Sequence, residues 1–423
     1  MGAGSLSTLF PGEIRLYASA TTDPPIGWLK CDGSRVPRAT YSRLFNVIGT
    51  TYDVDNTNST SFQLPDLRGR AAIGQDPFGI RAHHASKIGA TGGHVKHTLT
   101  NDQLPVHYHA SGSLTIVPLR SAHLPLHPTW TRNGTTVAGG DEEGSQIHQL
   151  HSPHGLFVDE YDTIYITDQY NHRIMAWKSN AKSGQIMAGG YGQGNESSQL
   201  SDPTDLIIDK ESDSLIICDK NNRRVVRWPR QGNSSGQTII SNIDCWGLMM
   251  DDEEFLYVSD WEKMVVRRWQ IEERNGTIVS GGNGEGNHVN QLNSPGFIFV
   301  DRNHSVYVSD WKNHRVMKWM KGAREGIVVA GGEGNGNDLG QLSYPQGVVV
   351  DQLGTVYVAD WGNNRVMCWP EGAKNGSIIV GGNGNGKQAN QLSRPQGLSF
   401  DRQGNLYVAD EGNHRVQRFD LIK

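Results

Sequence analysis

From about residue 134 onward the chain is filled by short runs rich in Val, Ile and Tyr. "GVVVD", "TVYVAD" and "RVMCW" are three of them, each bounded by Gly, Asn or Asp. Such runs between turn formers predict β-strands. A fourth run, "SIIVGG", leads into a Gly-rich loop. Helical periodicity is absent from this part of the chain. The first third differs. There "TYSRLFNVIG" sets Tyr41, Leu44, Phe45 and Ile48 at helical spacing, with Thr40 placed to cap the helix and Gly49 to end it.

The strands recur as a unit. "YITDQYNHRIMAW" ends at Trp177, "IICDKNNRRVVRW" at Trp228, "YVSDWEKMVVRRW" at Trp269, "YVSDWKNHRVMKW" at Trp319, "YVADWGNNRVMCW" at Trp369 and "YVADEGNHRVQRF" at Phe419. The aspartates Asp168, Asp219, Asp260, Asp310, Asp360 and Asp410 fall 51, 41, 50, 50 and 50 residues apart, and Asp159, Asp209, Asp251, Asp301, Asp351 and Asp401 keep the same step. Six copies of four short strands predict a mainly β fold, a six-bladed β-propeller. The sixth copy stops after its third strand. Its fourth is expected from residues 135–139, which align with "NGSIIVGG" and would close the ring and remove a strand edge.

The pattern P-x-G-φ-x-x-D followed by Y-V-x-D-x-x-N-x-R-φ resembles the NHL repeat over residues 134–423. Blade three departs from it: Lys263 and Val265 replace the Asn and Arg, and the connection after Ile240 is about nine residues shorter. "GEIRLYA", "GWLKCDGSRVPRATYSRLFNVIGTTY" and "FQLPDLRGRAAIG" together resemble the phage tail collar domain. That resemblance implies a small α+β unit over residues 11–76, with Trp28, Cys31, Leu44 and Phe45 in its core and Asp66, Arg68 and Arg70 as an ion-pair loop. Residues 1–10 form an N-terminal segment, 77–110 a His-rich extension and 111–133 a linker.

"YVSDWKNHRVMKW" has the ingredients of an active site, but its chemistry is repeated. Asp168 and Arg173, Asp219 and Arg224, Asp310 and Arg315, Asp360 and Arg365, and Asp410 and Arg415 hold the same two slots. A residue type placed in five blades serves the blade. Each pair is expected to fasten a hairpin, with Asn313 and its equivalents shaping the turn. The slot of His172, His314 and His414 also takes Arg223 and Asn364, and is expected to be a tolerant surface position.

Slots that vary between blades can carry specificity. After the strand-end Asp stand Gln169, Lys220, Trp261, Trp311, Trp361 and Glu411. After the repeat's Pro position stand His154, Thr204, Trp246, Gly296, Gln346 and Gln396, expected near the channel mouth. Trp261, Trp311, Trp361, Trp246, His154, Gln346 and Gln396 are therefore candidate ligand-binding residues for a protein, peptide or glycan. The plainer reading packs each Trp beneath a neighbouring Gly-rich loop.

Composition narrows the alternatives. The 51 glycines suit a chain dense in turns. Residues beyond 128 carry a net charge of −8, which argues against nucleic acid as the partner. Cys31, Cys218, Cys245 and Cys368 are scattered and predict no disulfide framework. Neither a signal peptide nor a run long enough to span a membrane is visible, and the compartment stays open.

Half of the 16 histidines lie between His83 and His127. "LPVHYH" resembles the segment by which trimeric tail collar and fibre proteins share a metal. The resemblance implies a structural-metal role for His107 and His109 and a homotrimer. The plainer reading is a solvated polar strand, with no cofactor anywhere in the chain. The sequence thus favours a non-enzymatic recognition protein, anchored or oligomerised by its collar part. The alternatives are a propeller lyase or hydrolase with a metal in its channel, for which the ring of strand starts offers only His154, and an RNA-binding NHL protein using Lys220, Arg223 and Arg224.

Overall fold

The computed structural model describes Leu29, Cys31, residues 34–48, Thr50, residues 60–65, and residues 124–422 apart from 232–234, 272 and 274. It divides into an N-terminal unit, residues 1–110, and a larger unit, residues 111–423.

In the N-terminal unit a strand β1 (Arg35–Pro37) pairs antiparallel with β2 (Ser61–Gln63), and helix α1 spans Ser42–Ile48. Its apolar stripe works as the spacing requires. Tyr41, Leu44, Phe45 and Ile48 pack on buried Val36, Phe62 and Leu64. Cys31 is half-buried, while Trp28, Asp66, Arg68 and Arg70 lie outside the described residues.

The larger unit is a six-bladed β-propeller of six four-stranded antiparallel sheets. The inner strands are Pro153–Val158, Pro203–Asp209, Cys245–Met250, Pro295–Val300, Pro345–Val350 and Pro395–Phe400. Burial falls outward: every residue of Pro345–Val350 is buried, whereas in the outer strand Ser377–Gly381 only Val380 is. This gradient follows from the ring, in which each sheet is sandwiched between two others except at its outer rim. Thr135–Gly139 pairs with Arg415–Phe419, so the first strand of the propeller completes its last blade.

The start of the ring extends further than a linker would. Within the span 111–133 expected to be one, Leu124 and Trp130 are buried. Trp130 stacks on Phe400, donates from Nε1 to the Gly404 carbonyl at 2.8 Å and bridges to Leu421. Leu124 exchanges two hydrogen bonds with the Gln352 amide. An apolar pair and satisfied backbone groups hold residues 124–133 on the propeller.

The cysteines also differ from expectation. Cys218 and Cys245 are joined in a disulfide, with Cα atoms 5.7 Å apart. Cys218 precedes the strand-end Asp219 of blade two, and Cys245 takes the Pro position of blade three. The repeat register brings these two slots together at the seam between blades.

Candidate recognition face

Inner strands begin, and second strands end, on one edge of the propeller. In blade four Pro295 pairs with Asp310, Asp310 with Arg315, and Arg315 with Gly331. The Asp310 carboxylate accepts from Arg315 Nε at 2.7 Å, from Asn313 Nδ2 at 2.9 Å and from the Asn293 backbone N–H at 2.7 Å. The Arg315 guanidinium then donates to the carbonyls of Asn287, His288 and Gln291 in the Gly-rich loop. Asp168–Arg173, Asp219–Arg224, Asp360–Arg365 and Asp410–Arg415 are built alike, at 2.6 to 2.7 Å. Burial pushes the Asp310 carboxyl up, against the pull of Asn313, Asn293 and Arg315.

Two details depart from expectation. The turn geometry comes from His314 rather than Asn313: His314 has φ 53°, whereas Asn313 spends its amide on Asp310 and on the Gly286 carbonyl. The His314 slot, expected to be a tolerant surface position, makes a specific contact in four blades. His314 Nδ1 accepts from the Tyr344 N–H, His172 Nδ1 from Asp202, His414 Nδ1 from Ser152, and Asn364 Oδ1 from Arg394. In these four blades the slot holds an acceptor that reaches the next blade, whereas Arg223 in blade two stands exposed and donates to Glu262.

The variable slots converge. Trp246 stacks on Trp261, centroids 4.3 Å apart and planes 23° apart. Trp261 lies 5.3 Å from Trp311, Trp311 lies 4.7 Å from Tyr344, and Tyr344 meets Trp361 edge-on at 6.1 Å. These five half-buried rings form one arc across blades three, four and five, packed on each other. Lys220 Nζ sits 4.5 Å over Trp246 at one end. At the other, Glu411 Oε2 accepts from Trp361 Nε1 and from Gln396 Nε2, both at 3.0 Å.

His154, Gln346 and Gln396, expected near the channel mouth, are buried. The reason lies in a β-bulge at the start of each inner strand, which re-aims the residues after the Pro position. Four blades place Gly155, Gly247, Gly347 or Gly397 second in the bulge, where a Cβ at Gly347 would stand 2.4 Å from the Gln396 carbonyl. Blade four reverses the order, with Gly296 first and Phe297 second. Phe297 fills the ring centre and stacks on His154 at 5.1 Å. His154 Nδ1 lies 2.7 Å from the Thr204 carbonyl, and burial pushes its imidazole down to about 4. Among the described residues His154 Nε2, Trp246 Nε1, Trp311 Nε1, and Oε1 of Gln346 and Gln396 are buried without a partner.

Residues 342–369 and 392–419 match the family model of the NHL repeat. The propeller thus contains NHL repeats, matched at two of its blades. Residues 12–72 match the phage tail collar domain. No curated protein matches the chain by sequence. Among solved structures it is similar to a protein of unknown function from Bacteroides thetaiotaomicron, at 13% identity and TM-score 0.56, over 70% of this chain and 77% of that one. A putative phosphatase from the same organism follows at 14% and 0.53, over 70% and 79%. An auxiliary nutrient binding protein from Bacteroides ovatus gives 13% and 0.52, over 70% and 78%. At such identities the likeness is one of fold.

In five blades, then, the Asp, Asn and Arg serve the blade by fastening its entering loop, and the aromatic arc has no such shared role. Sequence reasoning missed Tyr344 and Phe297. Tyr344 occupies the slot before the Pro position, which holds Ser152, Asp202, Asp244, Ser294 and Arg394 elsewhere, so the same comparison between blades would have flagged it. His107 and His109 lie outside the described residues.

Proposed function

We propose that the chain is a non-enzymatic recognition protein. Its propeller face binds a protein, peptide or glycan, and its collar domain anchors or oligomerises it. The observation that carries this reading is the arc of Trp246, Trp261, Trp311, Tyr344 and Trp361. Blades one, two and six fold without aromatics in those slots, so the fold does not require them. Large rings flanked by Lys220, Arg394 and Glu411 provide wide apolar contact with a polar rim, the composition of a recognition surface.

The other readings gain less. A channel metal would need several converging ligands. Here His154 has one nitrogen against the Thr204 carbonyl and its ring against Phe297 and Trp246. Among the described residues the grouping of metal-capable side chains, Asp251, Asp252 and His304, belongs to turns at the opposite edge. The basic cluster that would favour RNA is engaged: Arg224 holds Asp219, Arg223 pairs with Glu262, and Lys220 covers Trp246.

Screening the full chain on glycan and peptide arrays would identify a ligand. Trp311→Ala/Trp361→Ala is then expected to weaken binding about a hundredfold, as loss of two aromatic anchors does. A folded double variant that binds unchanged would sink the reading. For the collar part we propose a homotrimer with a structural metal at His107 and His109. Metal analysis combined with light scattering tests this, and a metal-free monomer ends it.

A further inference from the structure

Five blades are entered by a Gly-rich loop that the blade itself clamps. In blade four Asn313 and Arg315 hold its carbonyls, Asp310 takes the N–H of Asn293, and the Gly326 N–H donates to the Val289 carbonyl at 2.8 Å. The equivalents of that last bond run from Gly134, Gly184, Gly236 and Gly376 to Ala389, Ile147, Ser197 and Leu339. Loop, Asn, Arg and Asp act as one unit.

Blade three has lost the unit together. Its connection passes directly through residues 241–244, with Lys263 for the Asn and Val265 for the Arg. What remains is a groove of about 500 Å³ lined by Asp260, Lys263, Arg267, Trp269, Asn275 and Gly276, among others. Asp260, Trp269 and Gly276 are the counterparts of Asp310, Trp319 and Gly326, which seat a loop in blade four. Arg267 takes the position of Met317, and its Nε is buried without a partner among the described residues. Among the described residues Asp260 accepts from the Lys263 N–H at 3.1 Å, and the Lys263 Nζ stands 3.9 Å away on a side chain that is 47% exposed.

The seam is nonetheless held. Cys218 and Cys245 tie blade two to blade three where the loop clamp is missing. A covalent link has taken over the closing role, and the groove stays open beside it.

We propose that this groove is a docking site for a polypeptide turn of a partner protein, seated as the chain's own Gly-rich loops are seated on the other blades. The partner's carbonyl oxygens would meet the Arg267 guanidinium and the Gly276 N–H, and its turn would lie over Gly276, beneath which Trp269 is already buried. A second copy of this chain is a poor donor, because each of its five such loops is clamped in its own blade. The fitting occupant is a Gly- and Asn-rich turn, short in side chain and rich in exposed carbonyls.

The probe is a synthetic peptide of residues 283–293, NGEGNHVNQLN, titrated into the full chain and followed by isothermal calorimetry. Saturable binding is expected, weakened about tenfold or more by Arg267→Met, since a hydrogen bond to a charged group is worth at least that factor. A second variant copies residues 283–293 into the connection before blade three, with Lys263→Asn and Val265→Arg. It should not bind the peptide, and its unfolding midpoint should rise. Absence of saturable binding to the wild type up to millimolar peptide overturns the proposal. So does binding that Arg267→Met leaves unchanged while circular dichroism shows the fold intact, and this arm decides the matter even if the filled variant does not fold.

Discussion

Phe297 of blade four lies against the His154 imidazole of blade one, ring centroids 5.1 Å apart and planes 21° apart. The two blades stand opposite each other in the ring, so one side chain spans the centre. Phe297 is 1% exposed. Phe297→Ala should therefore cost about 3–5 kcal/mol, the range for emptying a buried aromatic site. Denaturant unfolding measures it. A loss under about 1 kcal/mol would mean that the ring centre collapses without its plug.

The same contact fixes a pH dependence. Burial holds the His154 imidazole neutral down to about 4, with the Thr204 carbonyl opposing and Lys220 assisting. Between about pH 6.5 and 4 the unfolded chain takes up a proton at this residue that the folded chain does not. Stability contributed by neutral His154 is thus complete above about pH 6.5 and declines as the pH falls toward 4, by roughly 3 kcal/mol in all. Burial also lowers His314 and His414, so acid sensitivity in the wild type is shared. The readout is the difference between wild type and His154→Gln, whose stability profile should be flatter over this window. Parallel profiles would show that His154 does not carry the effect.

Most of the ring was legible because its period is written in rigid spacings. Asp310, Asp360 and Asp410 follow at fifty-residue steps, and residues 135–139 align with the other fourth strands. The fastening of Asp310 by Arg315 was legible for the same reason, since repetition marks what the blade needs. Contacts between blades were harder. Cys218 and Cys245 lie 27 residues apart, a spacing with no meaning until the repeat register puts one beside Asp219 and the other in the Pro slot. The Trp246–Trp261 stack depends on a bulge that sequence spacing does not display. Phe297 reaches the ring centre through a two-residue exchange, "PGF" where blades one, five and six have "PHG" or "PQG", and only the geometry shows what that exchange fills.

The seam between blades two and three should depend on its disulfide. Elsewhere a clamped loop ties each blade to its predecessor, and here the covalent link substitutes for it. Closing a loop of 27 residues restricts the unfolded chain by about 3–4 kcal/mol. Cys245→Ala is expected to lower stability by that order. Amide exchange should accelerate first along Gln237–Ser241 and Cys245–Met250, the strands flanking the seam. Uniform acceleration over all six blades would show that the link acts on the ring as a whole.

The intact and the dismantled clamps make opposite predictions for the same substitution. Asp310 is fully buried and receives Arg315, Asn313 and the Asn293 N–H. Asp310→Asn would leave the Arg315 guanidinium buried without its counter-charge, and removing one member of a buried pair costs about 3–5 kcal/mol. Asp260 holds the equivalent position in blade three with Val265 in the slot of Arg315, and burial is the largest influence raising its carboxyl, against the pull of the Lys263 N–H and of the Lys263 and Arg267 charges. Asp260→Asn removes a charge that the blade no longer neutralises well. It should change stability by less than about 1 kcal/mol, and a small gain is the expected sign. Unfolding both variants under identical conditions gives the comparison directly. Equal losses would show that the aspartate serves each blade through its backbone acceptor role, with the arginine contributing little.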